Sequence, residues 1–353
     1  MTLSKLSTQS LILSLSLVLA ASQTRAEDPP PSIHRAVRDD NTLALRQWLA
    51  KDIALINARD ADGMTPLHLA VAKNKKRAFE FLIASGANVH LATGLTSSMK
   101  IDREDGAFAF REPRAQWTAL HLAAFANRLE MSRVLISKGA RVGIRNDFGE
   151  TPLYLASKEG HVGMIRLLLS HSADINETPK KGGFTPLMAA AFNGHNEAGQ
   201  MLVANGATLD VLSAAALGFA PDVDTAISKN PAIINGDGTA AKSPLYWAAA
   251  NGQFRIVQIL LVKDANTEVK DEGIAPLMMA SIIGHNGVVR ALLDKKANID
   301  EWDRHGWTAL HHAAINNQPR IARTLLARKA NAAAKDLRGR TTVDWRKKRA
   351  TSM

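Results

Sequence analysis

The sequence contains no cysteine. That absence removes disulfides, thiolate metal sites, cysteine nucleophiles and the thiol to which a lipid anchor would be joined, so the folded chain must be held by packing alone. Beyond the first 21 residues there is also no apolar run of the roughly 20 residues needed to span a hydrocarbon core, so no integral membrane segment is expected after the amino terminus. Gly-x-Ser-x-Gly elbows, phosphate-binding loops, His-Glu-x-x-His helices and paired catalytic carboxylates do not stand out either. A catalytic role, a cofactor and a metal are therefore not expected.

What is present begins with Lys5, the apolar stretch Leu11 to Ala21, and Thr24-Arg25-Ala26 ahead of Glu27-Asp-Pro-Pro-Pro31. A basic start, a short apolar stretch and small residues at positions 24 and 26 predict a secretory signal peptide over residues 1–26, cleaved after Ala26. Residues 27–32 then form a short linker, and the mature chain is expected in the periplasm or outside the cell. Removing Lys5 and Arg25 from the 44 Lys and Arg leaves 42 against 33 Asp and Glu. The excess sits at the carboxyl end, where residues 320–353 hold eleven cations against Asp336 and Asp344.

A repeated element dominates the rest. It reads Met64-Thr-Pro-Leu-His-Leu-Ala70, Trp117-Thr-Ala-Leu-His-Leu-Ala123, Glu150-Thr-Pro-Leu-Tyr-Leu-Ala156, Phe184-Thr-Pro-Leu-Met-Ala-Ala190, Lys242-Ser-Pro-Leu-Tyr-Trp-Ala248, Ile274-Ala-Pro-Leu-Met-Met-Ala280 and Trp307-Thr-Ala-Leu-His-His-Ala313, with a fraying copy from Arg340 to Trp345. From one Thr-equivalent position to the next the intervals are 53, 33, 34, 58, 32, 33 and 33 residues. Thr or Ser caps a helix, Pro in the first turn costs no hydrogen bond, and nine residues after the anchor comes Gly or Asn (Asn74, Asn127, Gly160, Gly194, Gly252, Gly284, Asn317), suited to a left-handed helix end. A second apolar helix follows, as at Met164 to Leu169.

This pattern resembles the ankyrin-repeat family over roughly residues 33–345. The resemblance implies an all-α solenoid of helix-turn-helix units joined by short β-hairpins, about nine repeats and a partial one. Single units cannot bury their apolar faces, so neighbours must stack. The 58-residue interval accommodates a degenerate repeat at 210–235 that lacks its hairpin. The 53-residue interval does not hold a complete extra unit and predicts a hairpin-tip insertion at 91–116. Within it Met99–Asp102 and Ala107–Phe110 alternate with strand period about a turn candidate at 103–106, which predicts a β-finger. Residues 346–353 read as a basic tail.

Eleven histidines invite a metal reading, which their spacing opposes. His68, His121 and His311 take the fourth place of the anchor, and His161, His195 and His285 follow the helix-ending Gly; the resemblance implies that both sets bond backbone between repeats. His311 and His312 are adjacent, and neighbours on a helix diverge too far to chelate one ion readily.

The resemblance implies a concave groove lined by hairpins and first helices. The side chains expected there are unusually apolar: Met64; Trp117 with Phe125; Phe184 with Phe192; Ile274 with Ile282 and Ile283; Trp307 with Ile315. Apolar residues recurring in phase predict a contiguous patch for a partner. The expected function is thus a non-catalytic protein-binding scaffold or regulator, monomeric, with a periplasmic protein partner contacting groove and finger. The alternative is a peripheral binder of anionic envelope polymer or membrane, using the basic residues Arg338, Arg340, Arg346, Lys347, Lys348 and Arg349. Nucleic acid is not expected, since Trp345 alone interrupts the tail with an aromatic ring.

Overall fold

The computed structural model describes residues 32–94, 116–179, 183–236, 243–270, 273–342 and 344, with the backbone of two strands at 99–102 and 108–111. The expected signal peptide at 1–26, all of the linker but Ser32, and the basic tail at 346–353 lie outside the described residues. Eighteen α-helices pair into nine helix-turn-helix units among the described residues.

The local reason for each pair is visible at its ends. Side chains of Thr65, Thr151, Thr185 and Ser243 accept the backbone N–H three residues on, and Pro occupies the next position in all four cases, so two of the signals that open a helix coincide. First helices end after about two turns where Asn74, Asn127, Gly160, Gly194, Gly252, Gly284 and Asn317 take positive φ. Gly252 is needed twice over. Its φ is +70°, and a Cβ there would lie 2.6 Å from the His285 ring of the following repeat.

The chain forms two compact units. The amino-terminal one, to Thr208, contains α1 (Ile33–Arg38), α2 (Thr42–Lys51), α3 (Pro66–Ala72), α4 (Lys76–Ala84), α5 (Ala119–Phe125), α6 (Leu129–Ser137), α7 (Pro152–Lys158), α8 (Val162–Ser170), α9 (Pro186–Phe192) and α10 (Asn196–Ala204). Its first helices α1, α3, α5, α7 and α9 pack each on the next. Ala70, Ala123, Ala156 and Ala190 are fully buried along that row, small enough for the helices to approach closely. Leu67, Leu82, Leu120, Leu135, Leu153 and Leu168 fill the space between helices, each burial contributing roughly 1.5–3 kcal/mol.

Between α4 and α5 stands the insertion. β1 (Met99–Asp102) pairs antiparallel with β2 (Phe108–Arg111), from Met99 opposite Arg111 to Asp102 opposite Phe108. The turn expected at 103–106 lies outside the described residues. At the base, Thr93 N–H donates to the Trp117 carbonyl at 2.8 Å, Trp117 N–H donates to Thr93 Oγ1 at 2.9 Å, and Ala92 pairs with Thr118. The strand β1 comes within 8 Å, Cα to Cα, of α3.

The carboxyl-terminal unit, from Leu209, contains α11 (Val211–Leu217), α12 (Ala220–Lys229), α13 (Pro244–Ala250), α14 (Phe254–Val262), α15 (Pro276–Ile283), α16 (Asn286–Asp294), α17 (Ala309–Ile315) and α18 (Pro319–Ala327). In α11 the helix is capped by Asp210, whose carboxylate accepts from the N–H groups of Leu212 and Ser213. First helices α11, α13, α15 and α17 stack in order, as do second helices α12, α14, α16 and α18. Ala248, Ala280 and Ala313 repeat the fully buried small-residue row.

Candidate protein-docking surface

Four hairpin turns share one construction. Asp60, Asn146, Asp303 and Asp336 each accept backbone N–H groups two and four residues ahead with a side-chain oxygen, while the backbone closes onto the residue four positions on. This leaves two tip residues between the acceptor and the glycine.

Histidines tie this scaffold together. The ring of His121 accepts at Nδ1 from the Thr118 N–H and hydroxyl at 3.1 and 2.9 Å, and its Nε2–H donates across to the Glu150 carbonyl at 3.1 Å. His161 reaches the Phe125 carbonyl at 3.0 Å and His285 the Ala250 carbonyl at 3.1 Å. Burial lowers His68 and His121 to about 4, so both rings are neutral at physiological pH, as their acceptor roles require. Among the described residues no group of three or more His, Asp or Glu stands together as a metal site.

In the last full repeat, His312 donates from Nε2 to Asp303 at 3.0 Å, with both side chains buried. Burial by itself raises the Asp303 carboxyl, but hydrogen bonds from His312 and from the backbone of Trp307 and His305 outweigh it and hold the group below the usual carboxylate range. The Trp307 indole stands edge-on to His312 at 5.5 Å and donates to Asp336 at 3.3 Å. Asp336 also pairs with Arg340 at 2.9 Å, its own side chain only 1% exposed.

The expected apolar patch is corrected by burial. Met64, Trp117, Phe125, Phe192 and Ile274 are buried, Trp117 completely, and so leave little side-chain surface for a partner. The physical reason is intramolecular. The residue before the helix cap folds down over the end of its own first helix, eight positions on: Trp117 meets Phe125 edge-on at 5.4 Å, and Phe184 meets Phe192 at 4.9 Å. Phe184 in the amino-terminal unit is half-buried; in the carboxyl-terminal unit Ile282, Trp307 and Ile315 are half-buried and Ile283 is exposed.

Other apolar residues are more open than any of these. Trp302 is 58% exposed and Leu337 70% exposed, both on hairpins of the carboxyl-terminal unit. Sequence reasoning missed Trp302 because its place carries no fixed residue type: six residues before the cap the other repeats have Arg59, Glu112, Arg145, Pro179, Asp237, Val269 and Lys335. In the expected basic patch Arg338 is exposed, Arg340 is committed to Asp336, and Arg346, Lys347, Lys348 and Arg349 lie outside the described residues.

Within each unit, helix pairs stacked one on the next and joined by hairpin turns define a helical repeat array. A family model for ankyrin repeats matches three times, at residues 33–146, 120–213 and 223–336. The chain belongs to the ankyrin-repeat family, whose arrays generally mediate protein–protein interaction. It is similar to human transient receptor potential cation channel subfamily A member 1 (29% identity, 78% of this chain, 21% of the channel). Similar in the same way are the probable 26S proteasome regulatory subunit p28 of Saccharomyces cerevisiae (28% identity, 48% of this chain, 83% of that protein) and the mouse B-cell lymphoma 3 protein homolog (28%, 74% and 50%). The chain thus spans about a fifth of the length of the human channel it matches.

Proposed function

We propose that this chain is an exported, monomeric, non-catalytic adaptor or regulator in the periplasm that binds another protein through the hairpin and first-helix side of its carboxyl-terminal unit. The observation that carries the reading is Trp302, 58% exposed in a hairpin whose fold asks for no aromatic side chain. Leu337 and Ile283 add apolar surface on neighbouring repeats, 70% and 37% exposed. Tryptophan is enriched among the few residues that carry most of an interface's binding energy. The yeast relative named as a regulatory subunit, matched over most of its length, supports a regulatory adaptor. Phe184 is the half-buried candidate in the amino-terminal unit.

The test is capture of partners from a periplasmic extract by wild type, Trp302→Ala, Leu337→Ser and Ile283→Ser. Loss of one common partner in the variants, with melting unchanged, is the expected result. Equal capture by all four refutes this surface. Export is checked separately by sequencing the mature amino terminus, which should begin at Glu27.

A further inference from the structure

The second helices of the carboxyl-terminal unit, α14, α16 and α18, bury Val257, Val289 and Ile321 against the first helices and turn their other side to solvent. Along that outer face runs a ladder of ion pairs from repeat to repeat: Lys263 to Asp224 at 3.1 Å, Lys295 to Asp264 at 3.3 Å, and Arg328 to Asp294 at 2.7 Å. The three helices, each with the two residues that follow it, contain only two acids, Asp264 and Asp294, and the ladder engages both. Six further cations, Arg255, Arg290, Lys296, Arg320, Arg323 and Lys329, are exposed, with no ion-pair partner among the described residues. Arg290 and Arg323 are 33 residues apart, one repeat period, and so occupy the same place on adjacent helices. Apolar side chains stand among these cations: Phe254 is 44%, Val262 75% and Leu326 47% exposed.

We propose that this outer-helix face docks on a membrane surface carrying anionic phospholipid headgroups. Charge complementarity commits it to an anion, because the acids that would neutralise it are already paired. Guanidinium groups match phosphate oxygens in a two-pronged geometry. The cations are spread over three neighbouring helices, which suits a plane of headgroups better than a single anionic strand. Exposed apolar groups between cations suit the boundary between headgroups and acyl chains. The hairpin side, where the proposed partner binds, stays free.

The experiment uses the full mature chain and flotation with phosphatidylcholine vesicles, with and without phosphatidylglycerol. Each cation near such a surface strengthens binding by about fivefold at low salt, and screening weakens the attraction as salt rises. The expected result is binding only to phosphatidylglycerol vesicles, weakened on the order of 100-fold or more by Arg255→Gln with Arg290→Gln, Arg320→Gln and Arg323→Gln combined. All four side chains are exposed, so melting should be unchanged, and capture of the hairpin-side partner should also persist. Phe254→Ser with Leu326→Ser should weaken vesicle binding while leaving heparin binding unchanged. Equal vesicle binding by the fourfold variant overturns the proposal, as does loss of binding on neutralising only Arg346, Lys347, Lys348 and Arg349. Heparin or polyglutamate binding as tight as that to vesicles, with no effect of the Phe254 and Leu326 changes on either, makes the face a site for soluble polyanions and overturns it too.

Discussion

Acid should loosen the amino-terminal unit well above the pH at which its carboxylates protonate. The groups responsible are His68 and His121, buried by the stacking of repeats and lowered from 6.5 to about 4. An unfolded chain binds protons on these rings as pH falls through 6.5, whereas the folded chain resists until about 4, so acidification favours the unfolded state throughout that interval. Linkage gives a cost of about 2 kcal/mol per ring at pH 5, hence about 4 kcal/mol for the pair. His34, in the same unit, is lowered by burial as well and acts in the same direction. The assay is urea unfolding at a series of pH values from 7 to 5, a window that lies above most carboxylate titration. The critical variant is His121→Met, because Met188 and Met278 fill the same place in other repeats. It should lower stability at pH 7, by losing the bond to the Glu150 carbonyl, yet flatten the pH dependence by about one ring's share. A wild-type midpoint that does not move between pH 7 and 5, or an unchanged slope in His121→Met, refutes the reasoning.

Trp117→Ala should cost about 3–5 kcal/mol in urea unfolding, because the ring is fully buried, whereas Trp302→Ala should stay within about 0.5 kcal/mol. Gly306→Ala should lower the thermal midpoint and cost about 2 kcal/mol or more, since φ is +76° and a Cβ would lie 2.8 Å from the Leu337 backbone nitrogen. Asp336→Ala should weaken the last full repeat, because it strips the Trp307 indole and Arg340 of a buried acceptor; hydrogen exchange should quicken in α17 and α18 first.

Much of this fold was legible because the signals are local and recur. Thr185, Pro186 and Gly194 each fix one backbone conformation, and together they delimit a helix without any knowledge of its neighbours. Met99–Asp102 carried a strand pattern, and the described strand there has those bounds. The docking surface was less legible because hydrophobicity reports that a side chain leaves water and not what covers it. Trp117 and Phe125 are eight residues apart and cover one another, which removes both from the surface a partner sees. Arg340 counted as a free cation until Asp336, four residues earlier and buried in the turn, took it. Trp302 was not legible at all, because the equivalent place in the preceding repeat holds Val269, which is buried, and only the fold shows that the tryptophan is open to solvent.

The pinned base of the insertion has a further consequence. With Thr93 and Trp117 bonded to each other in both directions, the residues between them form a closed loop whose length the stack does not register. Lengthening such a loop costs little, about 0.6 kcal/mol for each doubling. The segment is therefore a port at which sequence can be exchanged, shortened or replaced by a whole folded domain, and new contacts can be acquired there without renegotiating any packing between repeats.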